Sequence, residues 1–356
     1  MKRILPVILC IACTVPSAAQ SIGEIFGALM GIAAESLIYP DRMEGRVGLP
    51  QQDLASWGIQ SADYSGITAL GDGRYAVVSD KGNADGFHIW RITQDPESGA
   101  VISVEDEGFL ANRVDPDAKR DCEGIAYSPA TGSIFICGES DGRILEYSMD
   151  GQRTGRELPV PEQFRQTVAN QGLEALSYGG KGARARFWTT TETSLPADGI
   201  AAGPGNPGGS NLLRLQSFRN DLTPAKQVQY TMDTGRSADF GSTYVFGVPE
   251  ICALPDGHLL ILEREANIPS IYIGADVKCK LYSVKPRGKK PVAKKLVAEW
   301  TTSVSPNGLT WANYEGMCLG ARLSDGRRTL LLVNDSQGGY SKGGFSLKDY
   351  IKVIVL

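Results

Sequence analysis

A short phrase recurs five times along the chain: an acidic residue, a small residue with an apolar run, a turn, and a second apolar run ending in another acid. The copies are SGITAL to YAVVSD (65–80), CEGIAY to SIFICGE (122–139), LEALSY to RFWTTTE (173–192), PEICAL to HLLILE (249–263) and YEGMCL to TLLLVND (314–335). Repetition at this spacing marks an architecture in which each unit is one supersecondary element that buries its apolar face only against its neighbours. Tips such as Gly71-Asp72-Gly73, Pro255-Asp256-Gly257 and Ser324-Asp325-Gly326 make these hairpins, not helices. The second run is apolar almost throughout, as in a strand covered on both faces.

A third run follows each hairpin: FHIWRIT (87–93), RILEYSM (143–149), NLLRLQS (211–217), KLYSVK (280–285) and DYIKVIVL (349–356). Four copies carry a weaker fourth run, as in AKQVQYTM (225–232) and KKLVAEW (294–300). The expected fold is therefore all-β, a β-propeller of four-stranded blades. Five blades are counted, and a divergent sixth would make six. The last copy lacks its fourth strand, which a segment from 45–59 supplies if the ring is to close without an open edge.

Residues 45–356 read as a single domain, since propellers often exceed the usual domain size. Residues 1–19 have a basic start, a short apolar run and a small-x-small site at Ser17-Ala18-Ala19, the layout of a cleaved secretory signal. Cys13 offers a lipoprotein alternative, but Cys10 stands where such a signal wants Leu. Residues 20–44 form a lead-in segment, and no stretch is long enough to span a membrane. The expected location is periplasmic or secreted, and the expected state a monomer.

A formal net charge of −4 argues against nucleic acid as a partner. The five cysteines beyond residue 20 show no zinc spacing. Cys122 and Cys137, at nearly opposing hairpin positions, suggest a disulfide; the other three read as buried apolar residues. His88 and His258 sit in apolar strand patterns and read as strand residues, which leaves a serine triad or zinc-histidine site few members. The string Gly138-Glu139-Ser140-Asp141-Gly142 matches G-x-S-x-G but lies between two strands, where a nucleophile elbow needs a strand-to-helix turn.

The chemistry follows from the acids. The start of a blade's first strand and the end of its second lie at the same rim, so the repeat pairs Ser65 with Asp80, Glu123 with Glu139, Glu174 with Glu192, Glu250 with Glu263, and Glu315 with Asp335. Nine carboxylates are thereby expected at one mouth of the ring. Like charges this close raise one another's pKa or require cations, and hard oxygen donors in a shared concave site suit Ca²⁺. The competing reading is that each Glu accepts backbone N–H groups of the next blade and stitches the ring. Lys81, Arg120 and Arg264 stand beside acids. Loops 194–210, 265–278 and 336–348, carrying Tyr272, Tyr340 and Lys342, are expected at this mouth. So are the entering segments 159–172 and 233–248, with Arg165 and Arg236.

Taken in order, DCEGIAY, NQGLEALSY, VPEICALPDGHLLILERE, NYEGMCLG and LLLVNDS resemble the phytase-like, or esterase-like phytase, β-propeller domain of exported bacterial proteins. The resemblance covers about 60–356. It implies a propeller and metal-dependent hydrolysis of phosphoesters or other esters, with a small anionic or ester substrate. Two departures are visible: Ser65 stands where the other copies have Glu, and Asp335 is followed by Ser336-Gln337. On this reading Glu123, Glu174, Glu250 and Glu315, with Asp80, Glu192 and Asp335, hold metal. Glu139 or Glu263 acts as general base, and Arg264 and Lys81 hold the anion. Two alternatives stay open: a non-catalytic binding propeller with structural Ca²⁺, and an axial-Ca²⁺ lactonase.

Overall fold

The computed structural model describes residues 47–80, 84–115, 118–167, 171–203, 205–235, 243–269, 273–288, 291–305, 308–339, 341–342 and 345–356. The expectations placed on 1–44, Lys81, Arg236, Tyr272 and Tyr340 lie outside them. So do parts of the loops entering the mouth.

Each repeat forms one antiparallel four-stranded sheet. The first blade comprises Tyr64–Gly71, Arg74–Ser79, Gly86–Gln94 and Val101–Ala111. Cys122–Ser128, Ser133–Gly138, Arg143–Tyr147 and Arg153–Leu158 make the second. The third consists of Leu173–Gly179, Arg186–Thr191, Leu212–Phe218 and Pro224–Thr231. The fourth has longer strands, Thr243–Ala253, Leu259–Ile268, Asp276–Val284 and Lys294–Ser305. Half of the segment expected as a loop at 265–278 is strand, because the hairpin keeps its pairing out to Asn267 opposite Asp276.

The fifth blade takes Asn313–Arg322, Arg328–Asp335 and Tyr350–Val355 from one end of the chain and Val47–Gly48 with Gln52–Asp53 from the other. Val355 pairs with both Thr329 and Val47, so the ring closes as expected and has five blades. Going round the axis, each innermost strand packs on the innermost strands of the two neighbouring blades.

The core is divided among the gaps between blades. Five buried apolar clusters are present, one for each pair of adjacent blades. This is why the second strands are apolar on both faces: each face meets a different neighbour. The same geometry rules out the expected Cys122–Cys137 bridge. Cys122 pairs with Gly138, one residue away from Cys137, and a one-residue offset sends side chains to opposite faces. Cys122 faces the first blade and Cys137 the third, and the five described cysteines are free thiols.

At the axis the blades approach until backbone meets backbone. A Cβ on Gly66 would lie 2.3 Å from the Glu123 carbonyl oxygen, and one on Gly124 would lie 2.4 Å from the Leu176 nitrogen. The glycine after Ser65 and after Glu123 is thus a packing requirement of the ring.

Candidate metal centre at the axis

In four of the five blades the residue at the first acidic position of the repeat falls in a β-bulge. In the first blade Tyr64 faces Ser79 and Gly66 faces Val78, leaving Ser65 without a partner. Glu174 is skipped in the same way between Leu173 and Ala175, and Glu315 between Tyr314 and Gly316. In the second blade the register shifts between Cys122 and Ile125, the stretch that holds Glu123. A bulge re-aims the side chain of its extra residue, here toward the carboxylates of neighbouring blades.

The outcome is a run of close acids across blades one to three. Glu123, Glu139 and Glu174 each bring a carboxylate oxygen to within 4.8 Å of the others, and Asp80, Asp121 and Glu123 do the same. Glu123 is buried and shared by both groups, while the other four are half-buried. Burial, and then Glu174, Asp80, Glu315 and Glu139, push the Glu123 carboxyl well above its ordinary range. Burial is also the largest cause for Glu174, raised further by Glu192, Glu139 and Glu315 and opposed by Arg264. One Glu139 oxygen accepts the Gly172 N–H at 2.8 Å.

The other side of the mouth is closed differently. In the fourth blade Glu250 keeps a partner, Leu262, and the register shift falls between it and Gly247, which faces Arg264. Arg264 consequently reaches the axis. Its guanidinium donates to Glu192, to Asn313 and, at 3.2 Å, to Glu315, and it is buried. Burial still holds the Glu192 carboxyl above its usual range, against the pull of Arg264. Glu250 accepts the N–H groups of Leu176 at 3.0 Å and Ile251 at 2.8 Å, so it stitches the fourth blade to the third. Ser65 donates to Glu315 at 3.3 Å.

Glu263 is not brought to the axis. It accepts from Tyr230 at 2.5 Å, Lys294 at 2.7 Å and the Asp233 N–H at 3.1 Å, in a network between blades three and four. The bulge shift explains the displacement: Val248 and Pro249 together oppose the single residue Glu263, and it is Arg264 that takes the axial place. Asp335 is occupied by Gln337, whose backbone N–H donates at 2.6 Å. Arg120, also beside an acid in sequence, is buried and grips Asp141 through two nitrogens at 2.8 and 3.1 Å. The G-x-S-x-G string is the turn between two strands, with the Gly142 N–H on the Gly138 carbonyl.

Neither histidine joins the cluster: His88 contacts Asp106 at 2.8 Å on its own blade, and His258 contacts Asp256 at 3.1 Å in a hairpin tip. Asp121, absent from the expected set, joins it with Asp80 and Glu123. Its signal in the sequence was its place two residues before the acid, which Asp63 shares in the first copy. Both residues take a left-handed backbone, φ 56° and 52°.

A family model described as "Phytase-like: Esterase-like activity of phytase" matches residues 60–337. The chain belongs to that family. No curated protein sequence is similar enough to be matched. Among solved structures, an endo-arabinase from Bacteroides thetaiotaomicron shares 11% identity over 84% of this chain and 95% of its own, with a TM-score of 0.44. The PQQ-bound aldose sugar dehydrogenase of Streptomyces coelicolor shares 14% over 89% and 100%, with a TM-score of 0.41. An inactivated virginiamycin B lyase from Staphylococcus aureus with Quinupristin shares 12% over 82% of this chain, which spans 66% of its length, at a TM-score of 0.33. Likenesses this remote carry no functional argument.

Proposed function

We propose that this phytase-like propeller is a calcium-assisted hydrolase of phosphoesters or other esters, acting at the carboxylates of blades one to three. The observation that carries the reading is Glu123, buried and common to two groups of carboxylates whose oxygens lie within 4.8 Å of one another. Such acids either hold protons or share a cation. The donor set, all hard oxygen, fits Ca²⁺. Asp80, Asp121, Glu123 and Glu174 would hold it, with Glu139 beside them. A bound ion of this kind polarises an ester and lowers the pKa of bound water.

Within this reading the residues of the chain divide their work. Arg264 neutralises Glu192 and Glu315 and so keeps those two from competing for the ion. Glu250 is committed to backbone N–H groups and fixes the spacing of blades three and four. Of the two residues expected as general base, only Glu139 lies in the cluster, so that role falls to it. Arg264 is already engaged by two carboxylates, so a cation held by these acids would meet the substrate's negative charge.

The test is release of phosphate or nitrophenol from generic esters by the purified protein, with Ca²⁺ and with chelator. Calcium-dependent turnover that disappears in Glu174→Gln is expected. A wild type that cleaves no phosphomonoester, phosphodiester, aryl ester or lactone overturns the reading in favour of a binding propeller.

A further inference from the structure

The end of the ring made by the hairpin tips carries the opposite charge from the acidic mouth. A cleft of about 870 Å³ crosses the tips of blades three, four and five, and among the described residues nine of those lining it are Lys or Arg against one acid, Asp256. Lys181, Arg184 and Lys226 come from the third blade, Lys285 and Arg287 from the fourth, and Arg328 from the fifth. All but Arg328 are exposed. Among the described residues none of these six has a carboxylate partner. In a chain of net charge −4, this is a local inversion of sign.

We propose that this cleft binds a segment of an acidic polysaccharide. The cations are spread over three blades on long, exposed side chains, which suits a polymer with a charge on every one or two units. A compact anion is held by convergent, fixed donors instead. Here only Arg186 and Arg322 are fixed on backbone carbonyls, Arg186 on Ala183 and Ala185, Arg322 on Gly326, while Arg327 is spent on Asp325. Between the cations the wall is apolar, with Leu254, Pro255 and Leu319, a surface on which the C–H face of a sugar ring can lie. A single-stranded nucleic acid needs exposed aromatic platforms; of the two aromatic rings in the lining, Trp188 is only 6% exposed and His258 is held on the one acid, Asp256. The acidic mouth repels the same polymer and confines it to this end of the ring. The inference stands apart from the hydrolase reading and needs no metal.

The test is calorimetry on the whole protein in chelator at low salt, with polygalacturonate oligomers of increasing length, dextran sulfate and neutral dextran. Affinity that rises with oligomer length, falls with added salt and is absent for neutral dextran is expected. Carboxylated and sulfated chains tell the two sources of charge apart, and binding of either supports the proposal. Arg184→Glu, Lys285→Glu and Arg287→Glu together should weaken binding at least about tenfold, by reversing three rim charges in a field that salt screens, with the melting temperature unchanged. Three results overturn the proposal: tripolyphosphate binding as tightly as the longest oligomer, a 20-nucleotide single strand binding more tightly than either polysaccharide, or full affinity in the triple variant.

Discussion

The acidic mouth has two halves built from the same repeat, and they solve the same electrostatic problem in different ways. Across blades three to five, Glu192 and Glu315 are neutralised by one buried arginine and Glu250 by backbone N–H groups. Across blades one to three, Asp80, Asp121, Glu123, Glu139 and Glu174 crowd together, and the charge of Glu123 is opposed by its neighbours rather than matched. What separates the halves is the position of a bulge. Where the extra residue is the acid, an acid reaches the axis. In the fourth blade the bulge falls at Val248 and Pro249, which share one partner position, and Arg264 arrives instead.

The largest effect is expected on the closed half. Arg264→Met should cost about 3–5 kcal/mol in urea unfolding, because it strands the buried Glu192 and the half-buried Glu315. A loss below about 1 kcal/mol would mean that the arginine is incidental to the ring. On the open half, Ca²⁺ at a hundred times its Kd should add about 2.7 kcal/mol to stability by mass action, read as a higher melting temperature than in chelator. Glu123→Gln or Glu174→Gln should remove that increment together with ester cleavage. An unchanged melting curve in chelator would leave every acid of the mouth as a stitch.

The pH dependence follows from the raised Glu123 and Glu174 carboxyls. In chelator the folded state binds more protons than the unfolded chain between the two states' pKa values. Stability is then highest at or below the ordinary Glu range and falls as pH rises through the folded values. Melting between pH 5 and 8 should show this slope, and the double Gln variant should flatten it. Calcium, which displaces those protons, should reverse it. The smallest effects belong to residues away from the open half: Glu263→Gln, and His88 or His258 replaced with packing retained, should leave the calcium response and the rate nearly unchanged.

Much of this was legible in the sequence. The apolar second runs, the tips at Gly71 to Gly73 and Pro255 to Gly257, and the acid at each strand end led to the five blades and to closure by a segment within 45–59. Counting along the strands placed Glu123, Glu139 and Glu174 correctly at one mouth. It failed at Glu263, because the count presumes an unbroken two-residue period and the bulge at Val248 and Pro249 breaks it. The Cys122 and Cys137 pairing failed for a related reason: near-opposition in a hairpin does not fix which face each thiol takes. Asp121 was missed because it precedes the strand and is turned inward by a left-handed backbone, which no periodicity reports.

The pairing of Val47 with Val355 has a consequence for how the molecule comes into being. A chain made from its N terminus carries Val47–Gly48 as an unmatched edge while the sheets behind it assemble. The last bond of the circle joins segments near opposite ends of the chain, among the slowest contacts to find. An arc not yet closed would leave apolar surface bare at both ends, a state that invites sticking and proteolysis. Residues 47–53 are too few to fold alone, yet they decide when the arc becomes a ring.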